Sequence, residues 1–251
     1  MYFALFNLFN IEDYVTHLPK MYPGLLKQLL RSCIAKNATA QERNLSAGCV
    51  FYISCNPKGL ELLHTESAQV ITCFKRLRGL VLKRRAGLTL VAPECPYYML
   101  VVIKTMSTSP EFCHMCIDQG AFETLPQLIE AANHEVRCNA LELALNVNES
   151  LESAKYLLKI GCLPPILNGL TSSAEAIPEI SLCLLQSMVS NLLDLNSFCR
   201  EGTQNYRALK NVLKQVPGRS DAARIITQAL SKIELLDSQK KETESGTVLL
   251  T

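Results

Sequence analysis

The chain has 251 residues, 48% of them apolar and 19% charged. That is enough hydrophobic material for a buried core and too much for a chain that stays disordered. A net charge of +2 provides no bulk attraction to nucleic acid or an anionic membrane, so any electrostatic partner must be met by a local cluster. Eleven cysteines, an odd number, are scattered from Cys33 to Cys199, mostly in apolar stretches such as Ser181-Leu-Cys183-Leu-Leu. A thiol there acts as a small hydrophobe, and the pattern suits a reducing, cytoplasmic setting better than a disulfide framework.

Residues 1–19 open on the apolar run Met1-Tyr-Phe-Ala-Leu-Phe-Asn-Leu-Phe. The run has no basic start and no small-residue cleavage site, so it does not read as a signal peptide. No stretch approaches the ~18 apolar residues of a membrane span. Further on, one pattern recurs. Asn56-Pro57, Ser109-Pro110 and Ser150-Leu151 each open a short helix, with a capping side chain and, in two cases, a proline in the first turn, where a missing N–H costs nothing. The short helices end at Ser67, Gly120 and Gly161, where a second helix begins; Gly120, Gly161 and Gly202 recur every 41 residues. Such a corner calls for the positive φ, or the close helix approach, that glycine allows. A longer third helix follows. In Glu135–Asn146 the residues Val136, Ala140, Leu143 and Val147 share one helical face. Comparable third helices are predicted over Gln41–Cys55, Pro96–Ser107, Ile177–Leu193 and Ser220–Leu236.

The spacing falls within the roughly 40–47 residues of armadillo and HEAT units, and the glycine corner with its short first helix resembles the armadillo-repeat family. The resemblance covers residues 20–236, about four and a half repeats, and is most specific between Gly120 and Gly161. It implies an all-α, right-handed superhelical solenoid whose third helices line a concave surface. The interval from Ser67 to Gly120 is 53 residues, about a dozen too many, which places an insertion near residues 81–96. End repeats of a solenoid need polar caps, and the first ten residues are not polar. They are expected either to fold back as an amphipathic cap or to mark a truncated product of a longer array. Residues 237–251 are expected to be a disordered polar tail.

Several groups are candidates for binding. Lys75, Arg76, Arg78, Lys83, Arg84 and Arg85 place six cations in eleven residues, a cluster suited to an acidic peptide first, then to phosphate or nucleic acid. Only Phe74 could stack on bases, which argues against single-stranded nucleic acid. In armadillo proteins that carry nuclear-localisation peptides, a third helix presents a tryptophan four residues before an asparagine. Asn146 matches that asparagine, but Glu142 stands at the tryptophan position. The second repeat offers Val101 and Thr105, the first Gly48 and Tyr52, and the chain has no tryptophan. The resemblance therefore does not extend to that mode of cargo binding. The remaining groove-facing candidates are Tyr52, Lys104, Thr105, Glu142, Asn146 and Asn191. Asn146 could hydrogen-bond a bound peptide backbone or make a local contact with a helix end.

Chemistry-bearing patterns are scarce. Cys113-His114-Met115-Cys116 lacks the second pair that a zinc site needs, and its spacing equally suits a core-facing helix. There is no phosphate-cradling glycine loop, H-E-x-x-H or G-x-S-x-G, and the four histidines lie far apart. Neither metal nor cofactor is expected. The sequence points to a non-catalytic scaffold or adaptor that holds a protein partner on the concave face. The alternatives are an Hsp70-type co-chaperone or assembly factor, and nucleic-acid or acidic-ligand binding through residues 75–85.

Overall fold

The computed structural model describes residues 2–9, 14, 17, 22, 24–82, 95–174, 176–191, 203–216 and 220–247. All elements among them are α-helices. They are α1 (Tyr2–Phe9), α2 (Leu25–Ile34), α3 (Ala40–Ser54), α4 (Pro57–Thr65), α5 (Ser67–Leu82), α6 (Cys95–Met106), α7 (Pro110–Asp118), α8 (Leu125–Ile129), α9 (His134–Val147), α10 (Leu151–Lys159), α11 (Leu163–Gly169), α12 (Ile177–Asn191), α13 (Gln204–Leu213) and α14 (Asp221–Thr247). The chain divides into two compact units, Met1–Val147 and Asn148–Thr251. In the first, α2 and α3 form a pair, followed by the triplets α4–α6 and α7–α9. In the second, α10–α12 form a triplet and α13 and α14 a closing pair.

The first helices begin where the sequence places them. Asn56 Oδ1 accepts hydrogen bonds from Lys58 N at 3.0 Å and Gly59 N at 3.3 Å. Ser109 Oγ accepts from Phe112 N at 3.4 Å, and Ser150 Oγ from Ser153 N at 3.1 Å. Each cap satisfies an otherwise orphaned N–H and contributes about 1 kcal/mol. The third helix α3 starts on a reciprocal capping box: Glu42 N donates to Thr39 Oγ1 at 3.1 Å while Thr39 N donates to Glu42 Oε2 at 2.8 Å.

The glycine corners have a common geometry. Gly120 has φ +63° and Gly161 φ +89°. At the first, Gly120 N donates to Ile117 O and Ala121 N to Cys116 O; at the second, Gly161 N donates to Leu158 O and Cys162 N to Leu157 O. This pair of bonds is the Schellman closure of a helix C-terminus, and it requires a left-handed residue at the glycine. Cys116 and Ala121, and likewise Leu157 and Cys162, are buried, which supplies the apolar contact across the corner. The corner before α5 is built differently. Glu66 keeps φ −113° and the chain re-enters a helix at Ser67 without a left-handed residue, so no glycine is needed there. Gly202 lies outside the described residues.

The third helices make the core of the first unit. The packing of α3 on α6 is the most extensive in the chain, and α6 packs in turn on α9. Ala47, Val50 and Ile53 of α3, Met99, Leu100 and Ile103 of α6, and Val136, Ala140 and Leu143 of α9 are all buried, as the helical period requires. Two arginines recur at the fourth position of a third helix. Arg43 Nη1 donates to Ala38 O at 2.7 Å and Ala35 O at 3.3 Å, and Arg137 Nε donates to Ile129 O at 3.1 Å. Each ties its helix to carbonyls at the end of the preceding second helix.

The two end segments, residues 1–19 and 237–251, are partly described. Of residues 1–19, Tyr2–Phe9 forms a helix, α1, that packs on α3. At the other end α14 runs to Thr247, where the composition predicts disorder from residue 237. Gln, Lys and Glu are good helix formers, and once the packed part of α14 has overcome the cost of nucleation each further residue adds a hydrogen bond. The insertion expected near residues 81–96 falls mostly on residues 83–94, which, with Lys83, Arg84 and Arg85, are outside the described residues; α5 ends at Leu82 and α6 starts at Cys95.

Candidate binding surface on the third helices

The faces of α3, α6 and α9 opposite the core are half-exposed and follow the helical period. On α3 this face carries Phe51 and Tyr52, on α6 Tyr97, Tyr98, Val101, Lys104 and Thr105, and on α9 Cys138, Asn139, Glu142 and Asn146. An apolar core on one side and this mixed row on the other leave the third helices with a continuous polar and aromatic face inside the first unit.

The row is knitted together by contacts between neighbouring helices. Lys104 Nζ and Glu142 Oε2 form an ion pair at 2.6 Å, with the two side chains 23% and 44% exposed. Asn146 Nδ2 donates to Lys104 O at 3.0 Å. This is a local contact with a helix end, since Lys104 lies in the last turn of α6. Thr105 Oγ1 donates to Val101 O of its own helix at 3.0 Å. Tyr52 stands edge-on to Phe6 of α1, centroids 5.3 Å apart, and 5.5 Å from Phe51. The helix α12 contains Asn191 as its last residue, but that side chain is outside the description.

Of the aromatic half of this face, the sequence singles out Tyr52 but not Phe51, Tyr97 or Tyr98. Phe51 lies 5.4 Å from Tyr98, and Tyr97 lies 6.5 Å from Tyr98. Asn139 Nδ2 donates to Tyr97 Oη at 3.3 Å and to Glu135 O at 2.8 Å. Burial, then Glu135, pushes the Tyr97 phenol upward; burial, then Tyr52 and Tyr97, does the same to Tyr98. Both remain neutral hydrogen-bonding groups at neutral pH. The available signal was the consecutive Tyr97-Tyr98 pair at the start of a third helix, where one ring must face away from the core.

The basic cluster has a different place. Lys75 Nζ donates to Gln119 O. Arg78 Nη1 donates to Gly120 O at 2.6 Å and Ala121 O at 2.7 Å, and its Nη2 meets Glu123 Oε2 at 3.1 Å. With its side chain 15% exposed, Arg78 holds the carbonyls of the Gly120 corner. Arg76 is exposed. The structure thus puts Lys75 and Arg78 of the second helix α5 against the α7–α8 corner, and not on the face of α3, α6 and α9.

Cys113 and Cys116 are buried core residues, and Cys113 Sγ donates to Ser107 O at 3.2 Å. Among the described residues no three His, Cys, Asp or Glu side chains are placed to hold a metal ion. A groove of about 370 Å³ between α2 and α5 is lined by Leu30, Arg31, Ile34, Ala68, Gln69, Thr72 and Cys73, a set without a nucleophile–base pair. No helix among the described residues is long and apolar enough to cross a membrane.

No family model matches the sequence, and no curated protein matches it. Solved structures do. The designed armadillo repeat protein YIII(Dq)4CqI is 17% identical, with 92% of this chain and 92% of its own covered and a TM-score of 0.63. A second designed armadillo repeat protein, YIII(Dq.V1)4CPAF in complex with the peptide (KR)4, is 16% identical over 92% of this chain and 91% of its own, TM-score 0.64. The armadillo-repeats-only protein ARO from Plasmodium falciparum is 13% identical over 89% and 98%, TM-score 0.57. At these identities the likeness concerns architecture, and it agrees with the corners, caps and third-helix core: the chain has the all-α fold of armadillo-repeat solenoids.

Proposed function

We propose that the chain is a non-catalytic adaptor that holds a segment of a partner protein along the half-exposed face of α3, α6 and α9. The observation that carries this is the face itself. Three adjacent helices present aromatic rings at one end, Phe51, Tyr52, Tyr97 and Tyr98, and ionic and amide groups at the other, Lys104, Glu142, Asn139 and Asn146. Aromatic anchors with adaptable polar neighbours suit capture of a polypeptide through many modest contacts. The designed neighbours include one in complex with the peptide (KR)4 and one made for modular peptide recognition, which supports a peptide-like ligand on this fold. The buried free thiols, among them Cys33, Cys49 and Cys162, favour a reducing compartment, and we place the protein in the cytoplasm.

The test is affinity purification of the tagged chain from cytosol beside a Tyr97→Ala/Glu142→Lys variant, followed by titration with the purified partner. Retained folding with at least tenfold weaker binding by the variant is expected; equal binding sinks the third-helix face. A stoichiometric Hsp70 in the purification, with accelerated nucleotide release, establishes the co-chaperone alternative instead. Charge reversal at Arg76, Lys83, Arg84 and Arg85 tests the acidic-ligand alternative, which requires binding to fall in that variant and to weaken steeply with salt.

A further inference from the structure

We infer that Gly48, Tyr52 and Tyr98 form a socket for a single aromatic side chain presented on a short apolar helix, that α1 fills this socket with Phe6, and that a partner helix of the same chemistry displaces it. The inference extends the third-helix reading above by naming the kind of segment recognised and its internal competitor.

The socket is built around an absent side chain. Gly48 lies inside α3, where glycine is less favourable than alanine, and it is not among the glycines with positive φ. Its backbone therefore gives no reason for glycine; its surroundings do. A Cβ on residue 48 would stand 2.5 Å from the edge of the Phe6 ring, and 3.6 Å from the Tyr98 ring. Phe6 thus sits directly on the α3 backbone. Tyr52, one turn along, meets Phe6 edge-to-face with centroids 5.3 Å apart, the arrangement that aromatic quadrupoles favour. Phe51 braces both walls, at 5.5 Å from Tyr52 and 5.4 Å from Tyr98.

The occupant is a short helix whose described side chains are incompletely covered. α1 has eight residues, Tyr-Phe-Ala-Leu-Phe-Asn-Leu-Phe, without a charge, too short to be a stable helix in water by itself. Leu5, Phe6 and Leu8 are each only partly covered, and Ala4 and Asn7 are exposed. A helix this short, with its described apolar side chains still partly open to solvent, suits an exchangeable ligand. Tethered in the same chain it acts at a high effective concentration, so an incoming helix with an equivalent ring replaces it either in large excess or through further contacts along α6 and α9.

The experiment uses the full chain and, as probe, a fluorescein-labelled peptide of its own residues 1–10 with lysines appended for solubility, followed by anisotropy. The intact chain, its socket occupied, should bind the probe weakly. Phe6→Ala empties the socket and should bind it at least tenfold more tightly. Phe6→Ala/Gly48→Leu fills the socket from below and should return binding to the level of the intact chain or lower. Melting curves of the variants control for folding. Because the chain has no tryptophan, Phe6→Trp adds a sole fluorophore whose emission should be blue-shifted in the chain and shift red when unlabelled probe is added in excess. Equal probe binding by the intact chain and Phe6→Ala, undiminished binding by the double variant, or an indole emission in Phe6→Trp unmoved by excess probe would each overturn the socket. Such a failure leaves partner capture at Tyr97 and Glu142 intact. Loss of that wider reading leaves probe exchange at Gly48 unchanged, so the two fail separately.

Discussion

Replacing Gly161 by alanine isolates the backbone requirement of a repeat corner. Gly161 has φ +89°, and nothing lies within 4 Å of where a Cβ would stand, so the substitution brings no clash. What remains is the left-handed conformation, which costs an L-residue roughly 1–2 kcal/mol. Escape from it would open the bonds from Gly161 N to Leu158 O at 3.1 Å and Cys162 N to Leu157 O at 3.0 Å, each contributing about 1 kcal/mol, so relaxation gains nothing. Alanine also stiffens the unfolded chain, which recovers about 0.4–1 kcal/mol. The net expectation is a destabilisation of about 1 kcal/mol. In a unit the size of Asn148–Thr251 that lowers Tm by about 4–8 °C if it melts on its own, and by about 2–4 °C if the chain melts as one. Asparagine tolerates the left-handed region, so Gly161→Asn should lose about half as much or less. Thermal and urea melts followed by circular dichroism measure both. An alanine variant as stable as the parent, or an asparagine variant no better than alanine, would refute the corner geometry.

Three further outcomes are expected. Leu143→Asp buries an unpaired carboxylate at a position with no exposed surface; it should cost more than about 4 kcal/mol and unfold the first unit, and an unchanged melt would mean that the third-helix face is misassigned. Arg78→Gln removes the donors to Gly120 O and Ala121 O and should cost about 1–3 kcal/mol, with Arg78→Lys a poor substitute because its point charge cannot reproduce the fork; a change below about 0.5 kcal/mol in urea melts contradicts the anchoring role. Burial pushes the Cys49 and Cys73 thiols up to about 12, whereas Cys55 and Cys183 are exposed. Brief iodoacetamide treatment at about pH 7.5 should therefore alkylate Cys55 and Cys183 and spare Cys49 and Cys73 until the chain is denatured. Peptide mapping that finds Cys49 labelled as fast as Cys183 would show that the α3 core is not closed.

The legible parts of this fold are those decided within one or two helical turns. Ser109-Pro110 and Asn56-Pro57 announce helix starts because capping needs only the next three residues. Gly120 and Gly161 announce corners because a Schellman closure spans six residues and admits few others at its left-handed position. The buried stripe Val136, Ala140, Leu143 and Val147 follows from periodicity alone. The polar composition of the tail does not by itself set where α14 ends, since Gln, Lys and Glu extend a helix that packing has already nucleated.

The site was less legible because its members meet across 38 to 45 residues of sequence. Lys104 finds Glu142, Asn146 finds the carbonyl of Lys104, and Arg78 finds the Gly120 corner. Each pairing depends on how one repeat stacks on the previous one, which no local pattern encodes. The same holds for Gly48, which in sequence looks like a weak point in a helix and in the structure is the seat of Phe6. Helices, caps, corners and buried faces are written into the chain itself, since backbone sterics and hydrophobic periodicity act locally. Which exposed groups are used up inside the fold, and which face outward together, follows from distances between helices, and those exist only once the repeats have stacked.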